Sequence, residues 1–107
     1  MPYKDGLFRI EIKFTESYPN EVPKVRFLTR IWHPQVALDG KLCEKPLADS
    51  WKPNMTIRDF LKLVRDIIAS PDKTEGVFNS DAANQLTRSV DEFEAQAREE
   101  TKKWAME

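Results

Sequence analysis

Past the apolar pair Leu7-Phe8, the segment Leu7 to Phe14 alternates between apolar and polar positions. Phe8, Ile10, Ile12 and Phe14 fall on one side, and Arg9, Glu11 and Lys13 on the other. This period of two predicts a half-buried strand. Pro2-Tyr3-Lys4-Asp5-Gly6 precedes it and reads as a turn, because Asp-Gly adopts positive φ readily. Tyr18 to Pro23 reads as a rigid bend, since its two prolines lack the N–H a ladder needs. Val25 to Leu28 reads as a second strand, so an antiparallel meander is expected. From Thr29 to Pro53 no period holds, and Pro34, Gly40, Pro46 and Pro53 break the chain repeatedly. A loop of that length in a compact domain is usually functional. A short third strand is expected near Lys41 to Cys43.

Helical spacing starts at Thr56. Thr56 with Asp59 forms a capping box, and Ile57, Phe60, Leu61, Val64, Ile67 and Ile68 recur at helical intervals. This predicts a core helix that ends near Ser70-Pro71. Pro71 to Gly76 is a polar loop. Ser80 to Thr87 reads as a short helix capped by Asn79 or Ser80. Ser89 with Glu92 opens a last helix reaching about Ala105. Phe93, Ala97 and Trp104 form a sparse apolar stripe on it, so most of that helix is expected to face solvent. The strands precede the helices, which predicts an α+β fold in one domain over residues 1–107.

Charge and composition narrow the function classes. The 107 residues carry 17 basic and 18 acidic side chains, a net charge of −1 spread along the chain. That balance argues against a nucleic-acid surface or a polybasic membrane anchor. No apolar run approaches the roughly 18 residues that span a bilayer. A single cysteine excludes an intrachain disulfide and suits a reducing compartment, here read as cytosolic or nuclear. It also leaves no zinc ligand set, and no phosphate-binding loop is present, so no cofactor is expected.

The chemistry concentrates in His33 to Pro53, which holds the only histidine and the only cysteine. Cys43 follows the Asp39-Gly40 turn, and Trp51 lies eight positions beyond it. A lone thiol after a tight turn is well placed to react and poorly placed to fill a core. Sulfur attacks and leaves with similar ease, so Cys43 is read as a carrier of an acyl group in thioester form. Lys41 and Lys45 flank it at strand-like spacing, which puts both on its face. His33 suggests a cysteine–histidine dyad, but a histidine that orders loop backbone is the favoured reading.

Taken together, these residues resemble the ubiquitin-conjugating enzymes. The resemblance rests on Pro2-Tyr3 with Gly6 and Phe8, Phe14 followed by Tyr18-Pro19 and Pro23, and His33-Pro34 with Cys43 ten positions after the histidine. Trp51-Lys52-Pro53, Asn79 with Ala82-Ala83, and the acidic-aromatic last helix extend it over the whole chain. It implies an antiparallel meander, an active-site loop, a central helix and C-terminal helices. It also implies that an N-terminal helix and first strand of the family, on the order of 40 residues, would precede Pro2. The implied partners are ubiquitin or a ubiquitin-like modifier, its activating enzyme and a ubiquitin ligase, with neither nucleic acid nor membrane. ATP would be spent by the activating enzyme.

The resemblance also implies roles for single residues. Cys43 is the thioester carrier. Gln35 stands where the family usually has asparagine, whose amide steadies the loop or the oxyanion; the extra methylene puts lysine ligation in doubt. Glu75 and Asp81 fall in the loop that gates the site, and Glu75 is the better match for a carboxylate that guides an incoming lysine. His33 and Pro34 structure the active-site loop, and Asn79 caps a helix. Lys45 stands where many relatives carry an acid. Asn20, Lys52, Pro53 and Asn54 lie in the two loops that ligases grip, with polar residues in place of apolar anchors. Trp51 reads equally as core. A catalytically weak or silent relative that binds ubiquitin or a conjugating enzyme non-covalently is the alternative. A hydrolase built on Cys43 and His33 is the weakest reading, because no third orienting group is evident.

Overall fold

The first alternating segment pairs with the second. In the computed structural model, which describes residues 2–106, strand β1 (Ile10–Lys13) runs antiparallel to β2 (Lys24–Phe27). The register sets Ile10 opposite Phe27, Glu11 opposite Arg26, and Lys13 opposite Lys24. Val25 and Phe27 point into the core, while Lys24 and Arg26 face solvent. β1 is shorter than the alternation predicted. Regular pairing stops at Ile10, where Leu28 and Thr29 both turn their N–H groups to the Arg9 carbonyl, and Phe14 is 48% exposed.

The expected third strand forms only as two isolated bridges, Arg26 with Lys41 and Val36 with Leu42. Gly40 explains how the loop reaches the sheet. Its φ is +98°, and a Cβ there would lie 2.0 Å from the Phe27 carbonyl oxygen, so only glycine permits this approach. The Phe27 N–H donates to the Gly40 carbonyl at 2.7 Å and closes the junction.

Helix α1 (Glu44–Ser50) was not expected. Pro46 argued against it, yet Pro46 sits in the first turn, where its missing N–H has no intrahelical acceptor to lose. Leu47 buries fully and anchors the turn. Helix α2 (Ile57–Ala69) begins with the predicted capping box: Thr56 Oγ1 accepts from Asp59 N–H, and Asp59 accepts from Thr56 N–H. Those bonds hold the Asp59 carboxyl below its ordinary pKa. Helix α3 (Ser80–Arg88) is capped by Asn79, and α4 (Val90–Trp104) by Ser89, whose hydroxyl accepts from Glu92 N–H.

Phe93, Ala97 and Thr101 are the buried face of α4. Trp104 is not part of it. It is 50% exposed, with the Lys103 amine 5.1 Å from its ring centre. The stripe runs at four-residue steps from Phe93 through Thr101 to Ala105, and Trp104 falls beside it. The core joins Val25, Phe27, Trp32, Leu42, Leu47, Phe60, Val64 and Phe93 across all layers. No helix among the described residues is long and apolar enough to cross a membrane.

Thr56→Ala removes a cap bond at the start of the central helix. It should cost about 1 kcal/mol in urea unfolding, with an unchanged slope against denaturant.

Candidate active site

His33, Pro34 and Gln35 are all buried and form the base of the site. His33 Nε2 donates to the Ile68 carbonyl at 3.1 Å, and its Nδ1 accepts from the Gln35 N–H at 3.0 Å. Both ring nitrogens are therefore used by backbone, and the pair fixes the neutral tautomer. Burial outweighs the backbone bonds and lowers the imidazole pKa to about 4. The ring binds loop and helix backbone and has no nitrogen left to serve as a base for a thiol.

Pro34 has no N–H, but its carbonyl accepts two bonds, from Phe78 N–H at 2.8 Å and Asn79 N–H at 3.0 Å. This ties the entry of α3 to the active-site loop. Asn79 then caps α3, with Oδ1 accepting from Ala82 N–H at 3.1 Å. The Asn79 amide nitrogen is buried without a partner among the described residues.

Gln35 holds the gate loop. Its Oε1 accepts from Asp72 N–H at 3.0 Å, and its amide donates to the carbonyls of Asp72 and Glu75, the latter at 3.0 Å. Both amide protons are thus committed to loop backbone, and neither is free for an oxyanion at Cys43. Of the two roles the resemblance implied, the geometry carries loop bracing. Within the loop, Asp72 Oδ1 accepts from the N–H and hydroxyl of Thr74 and from Glu75 N–H at 2.8 to 3.1 Å. Those bonds hold the Asp72 carboxyl below its ordinary pKa, the Thr74 backbone bond being the largest cause. The Asp-x-Thr pattern that makes this turn was legible in the sequence but was not singled out.

Cys43 is the N-terminal flank of α1, with its N–H donated to the Gln35 carbonyl at 3.1 Å. It is 7% exposed. Gly76, at φ +64°, covers one side, and a Cβ there would lie 3.2 Å from Sγ. Cys43 also lines an open hollow of about 590 Å³ together with Lys41, Lys45 and Phe78. The two flanking lysines do share its surroundings, though not by strand spacing. Lys41 bridges to β2, and Lys45 lies in α1 with its amine 3.4 Å from Asp49.

Glu75 is exposed on the loop beside Gly76 and lines a second hollow of about 320 Å³ with Asp49, Asp66 and Asp72. Asp81 does not lie in the gate loop. It is in the first turn of α3. The two loops that carry Asn20 and Lys52-Pro53-Asn54 sit together, because Trp51 Nε1 donates to the Pro19 carbonyl at 2.8 Å. Trp51 also meets Phe60 edge-on, with ring centres 5.7 Å apart, so it serves both core and loop junction. Asn20, Lys52, Pro53 and Asn54 are all exposed.

The arrangement is a single thiol, supported by hydrogen-bonded backbone, beside the Pro71–Gly76 loop and with no imidazole free to act on it. The profile of the family described as "Ubiquitin-conjugating enzyme" matches residues 1–101. The chain belongs to the ubiquitin-conjugating enzyme family. It is 38% identical over 104 residues to the Ubiquitin-conjugating enzyme E2 13 of Saccharomyces cerevisiae, covering 97% of this chain and 67% of that protein. It is 37% identical over 108 residues to the Ubiquitin-conjugating enzyme E2 N of Drosophila melanogaster, covering 99% and 70%. The match to the Arabidopsis thaliana Ubiquitin-conjugating enzyme E2 22 is 35% identical over 97 residues and covers 91% of this chain but 38% of the longer relative. The E2 domain of a Toxoplasma gondii ubiquitin conjugating enzyme superposes with a TM-score of 0.88 at 30% identity, covering 98% and 72%. The expected α+β family fold is therefore present.

Two expectations follow for this ubiquitin-conjugating family member. The unfolded chain protonates its one histidine near pH 6.5, whereas the folded chain does so only near 4. Stability from this group is thus complete above pH 6.5 and is lost as pH falls toward 4, by up to about 3 kcal/mol. The imidazole NMR signals should stay unshifted from pH 8 to 5; a midpoint near 6.5 in the folded protein would contradict the buried geometry. Gln35→Ala removes three bonds from the gate loop. It should destabilise by about 1–3 kcal/mol and speed alkylation of Cys43 by a small reagent, and unchanged values of both would refute the brace.

Proposed function

We propose that this chain carries ubiquitin or a ubiquitin-like modifier as a thioester on Cys43 and passes it to a ligase or to a substrate lysine. The observation that carries this reading is the placement of the sole thiol. Its N–H donates to the Gln35 carbonyl, it lines an open hollow, and no imidazole is free to act as its base. A carrier is served by that absence, because a base beside a thioester would favour attack by water.

The loading step needs no cofactor. The Cys43 thiolate attacks the carbonyl carbon of the modifier's C-terminus on the activating enzyme's cysteine. A new C–S bond forms to Cys43, the old C–S bond breaks, and the departing sulfur takes up a proton equivalent to the one Cys43 gave. Leaving and entering sulfurs are chemically alike, so the exchange is nearly balanced.

In this reading Gln35 acts as a positioning residue through the gate loop. Glu75 is the carboxylate assigned to steering an incoming amine, since it is exposed on the segment that covers the sulfur. Asn20, Lys52, Pro53 and Asn54 form the ligase-facing surface. Their polar character removes apolar anchor area, which predicts a ligase preference unlike that of relatives with aromatic anchors. A lone reduced thiol suits a cytosolic or nuclear setting.

The test combines the chain with an activating enzyme, modifier and ATP, followed by a non-reducing gel. The wild-type chain should gain the modifier's mass in a band lost on adding reductant. Cys43→Ser should trap an ester that resists reductant. No adduct with any modifier would overturn the carrier reading and leave a non-covalent binding role.

A further inference from the structure

We infer that the open edge of β1 is a self-complementary interface, where two copies of this chain pair antiparallel into one continuous sheet. Along a strand the backbone groups point alternately to either side. The Leu28 N–H reaches the Arg9 carbonyl, and the Arg9 N–H reaches the Thr29 hydroxyl. Arg9, Glu11 and Lys13 therefore turn their N–H and C=O groups toward β2, and those of Ile10 and Ile12 point the other way. Among the described residues no strand meets them, because the sheet has two strands only. Such a row of unpaired groups is a template for a further strand.

Charge decides which strand fits. Two copies related by a two-fold axis must set outward-facing residues against outward-facing residues, so the axis falls on a residue of the strand. With the axis at Ile12, Glu11 of each copy lies opposite Lys13 of the other, and Ile10 lies opposite Phe14. With the axis at Glu11, Glu11 meets itself and Arg9 meets Lys13. With the axis at Lys13, Lys13 meets itself. Opposite charges directly across favour a strand pair, and like charges disfavour it. An axis at Ile10 also matches Arg9 with Glu11, but it needs the residues before Ile10. Regular pairing stops there, and the Leu7 N–H is held by the Ala105 carbonyl at 2.9 Å. The Ile12 axis alone uses the whole of β1 and pairs both of its charges.

The side chains agree with that axis. Lys13 stands opposite Lys24 in the sheet and has no carboxylate within 4 Å among the described residues. The partner's Glu11 supplies one from the free side. Phe14 is 48% exposed, at the end of a row whose other members, Ile10 and Ile12, are half-buried. Across the axis Phe14 covers the partner's Ile10, and Ile12 meets its own copy. Apolar surface leaves water on the core side, while both ion pairs lie on the solvent side. Assembly stops at two. On the far side of β2, the Phe27 N–H binds the Gly40 carbonyl and the Leu42 N–H binds the Val25 carbonyl, so that edge is taken. A strand pair this short makes a small interface, which fits a weak, concentration-dependent dimer.

The test is sedimentation equilibrium of the 107-residue chain at low salt, between about 10 µM and about 1 mM. The mass should rise from 12.5 kDa toward twice that value, and amide exchange at Ile10 and Ile12 should slow over the same range. Glu11→Lys and Lys13→Glu, taken singly, set like charges across the axis and should each weaken the dimer about tenfold. Mixed in equal amounts, the two variants should recover wild-type association, because each then meets the opposite charge. Glu11→Lys also faces Arg26. Should it fail to fold, Lys13→Glu, which relieves the repulsion from Lys24, carries the test alone. One chain's mass at every concentration would overturn the inference. So would Ile10 and Ile12 amides already protected at the lowest concentration, since a strand of the same chain would then fill the edge. A dimer that the single variants leave at wild-type strength, a mixture of folded variants that stays monomeric, or growth past two copies would overturn it too.

Discussion

One buried tripeptide holds the site together. His33 reaches the end of α2 through the Ile68 carbonyl, Pro34 receives two N–H groups from the start of α3, and Gln35 binds both the gate loop and the Cys43 N–H. Four separated parts of the chain are thus hydrogen-bonded to three consecutive residues. Buried polar groups cost free energy when unpaired, so each of these bonds is also a constraint on its partner's position. The thiol stands where it does because moving it would leave buried groups of this segment unsatisfied.

That arrangement bears on chemistry as well as on geometry. Burial keeps the imidazole neutral and occupied at both nitrogens, which removes the one group that would make Cys43 part of a hydrolytic dyad. The amide of Gln35 is spent in the same way, on backbone. What remains near the sulfur is charge of opposite sign on its two sides and a glycine close enough to Sγ that a methyl group would press on it. In the proposed carrier reading, such a surface sorts the acyl donors and acceptors that approach, and the transfer itself rests on the matched reactivity of sulfur.

Much of this was legible from residue patterns. The period of two around Ile10 and Ile12 and the helical spacing of Phe60, Val64, Ile67 and Ile68 report burial, whereas Phe14, Ile57 and Leu61 of the same series stay exposed at the ends and edge of their elements. Thr56, Asn79 and Ser89 were readable as caps because their chemistry is local. Helix α1 was hidden by Pro46, whose position within the first turn makes it harmless. Trp104 was misplaced because aromatic character suggested a core that its angular position on α4 does not face. The role of Gln35 depends on contacts 37 to 40 residues away in sequence, and the cations lining the hollow beside Cys43 come from three separate segments. No local pattern encodes either.

Amide hydrogen exchange at Gln35, Cys43, Phe78 and Asn79 tests most directly whether this tripeptide unites the site. If it does, the four amides exchange with one common opening free energy, close to that of global unfolding. Rapid, independent exchange at Phe78 and Asn79 while Cys43 stays protected would contradict it, and would mean the thiol is positioned by α1 and the sheet alone.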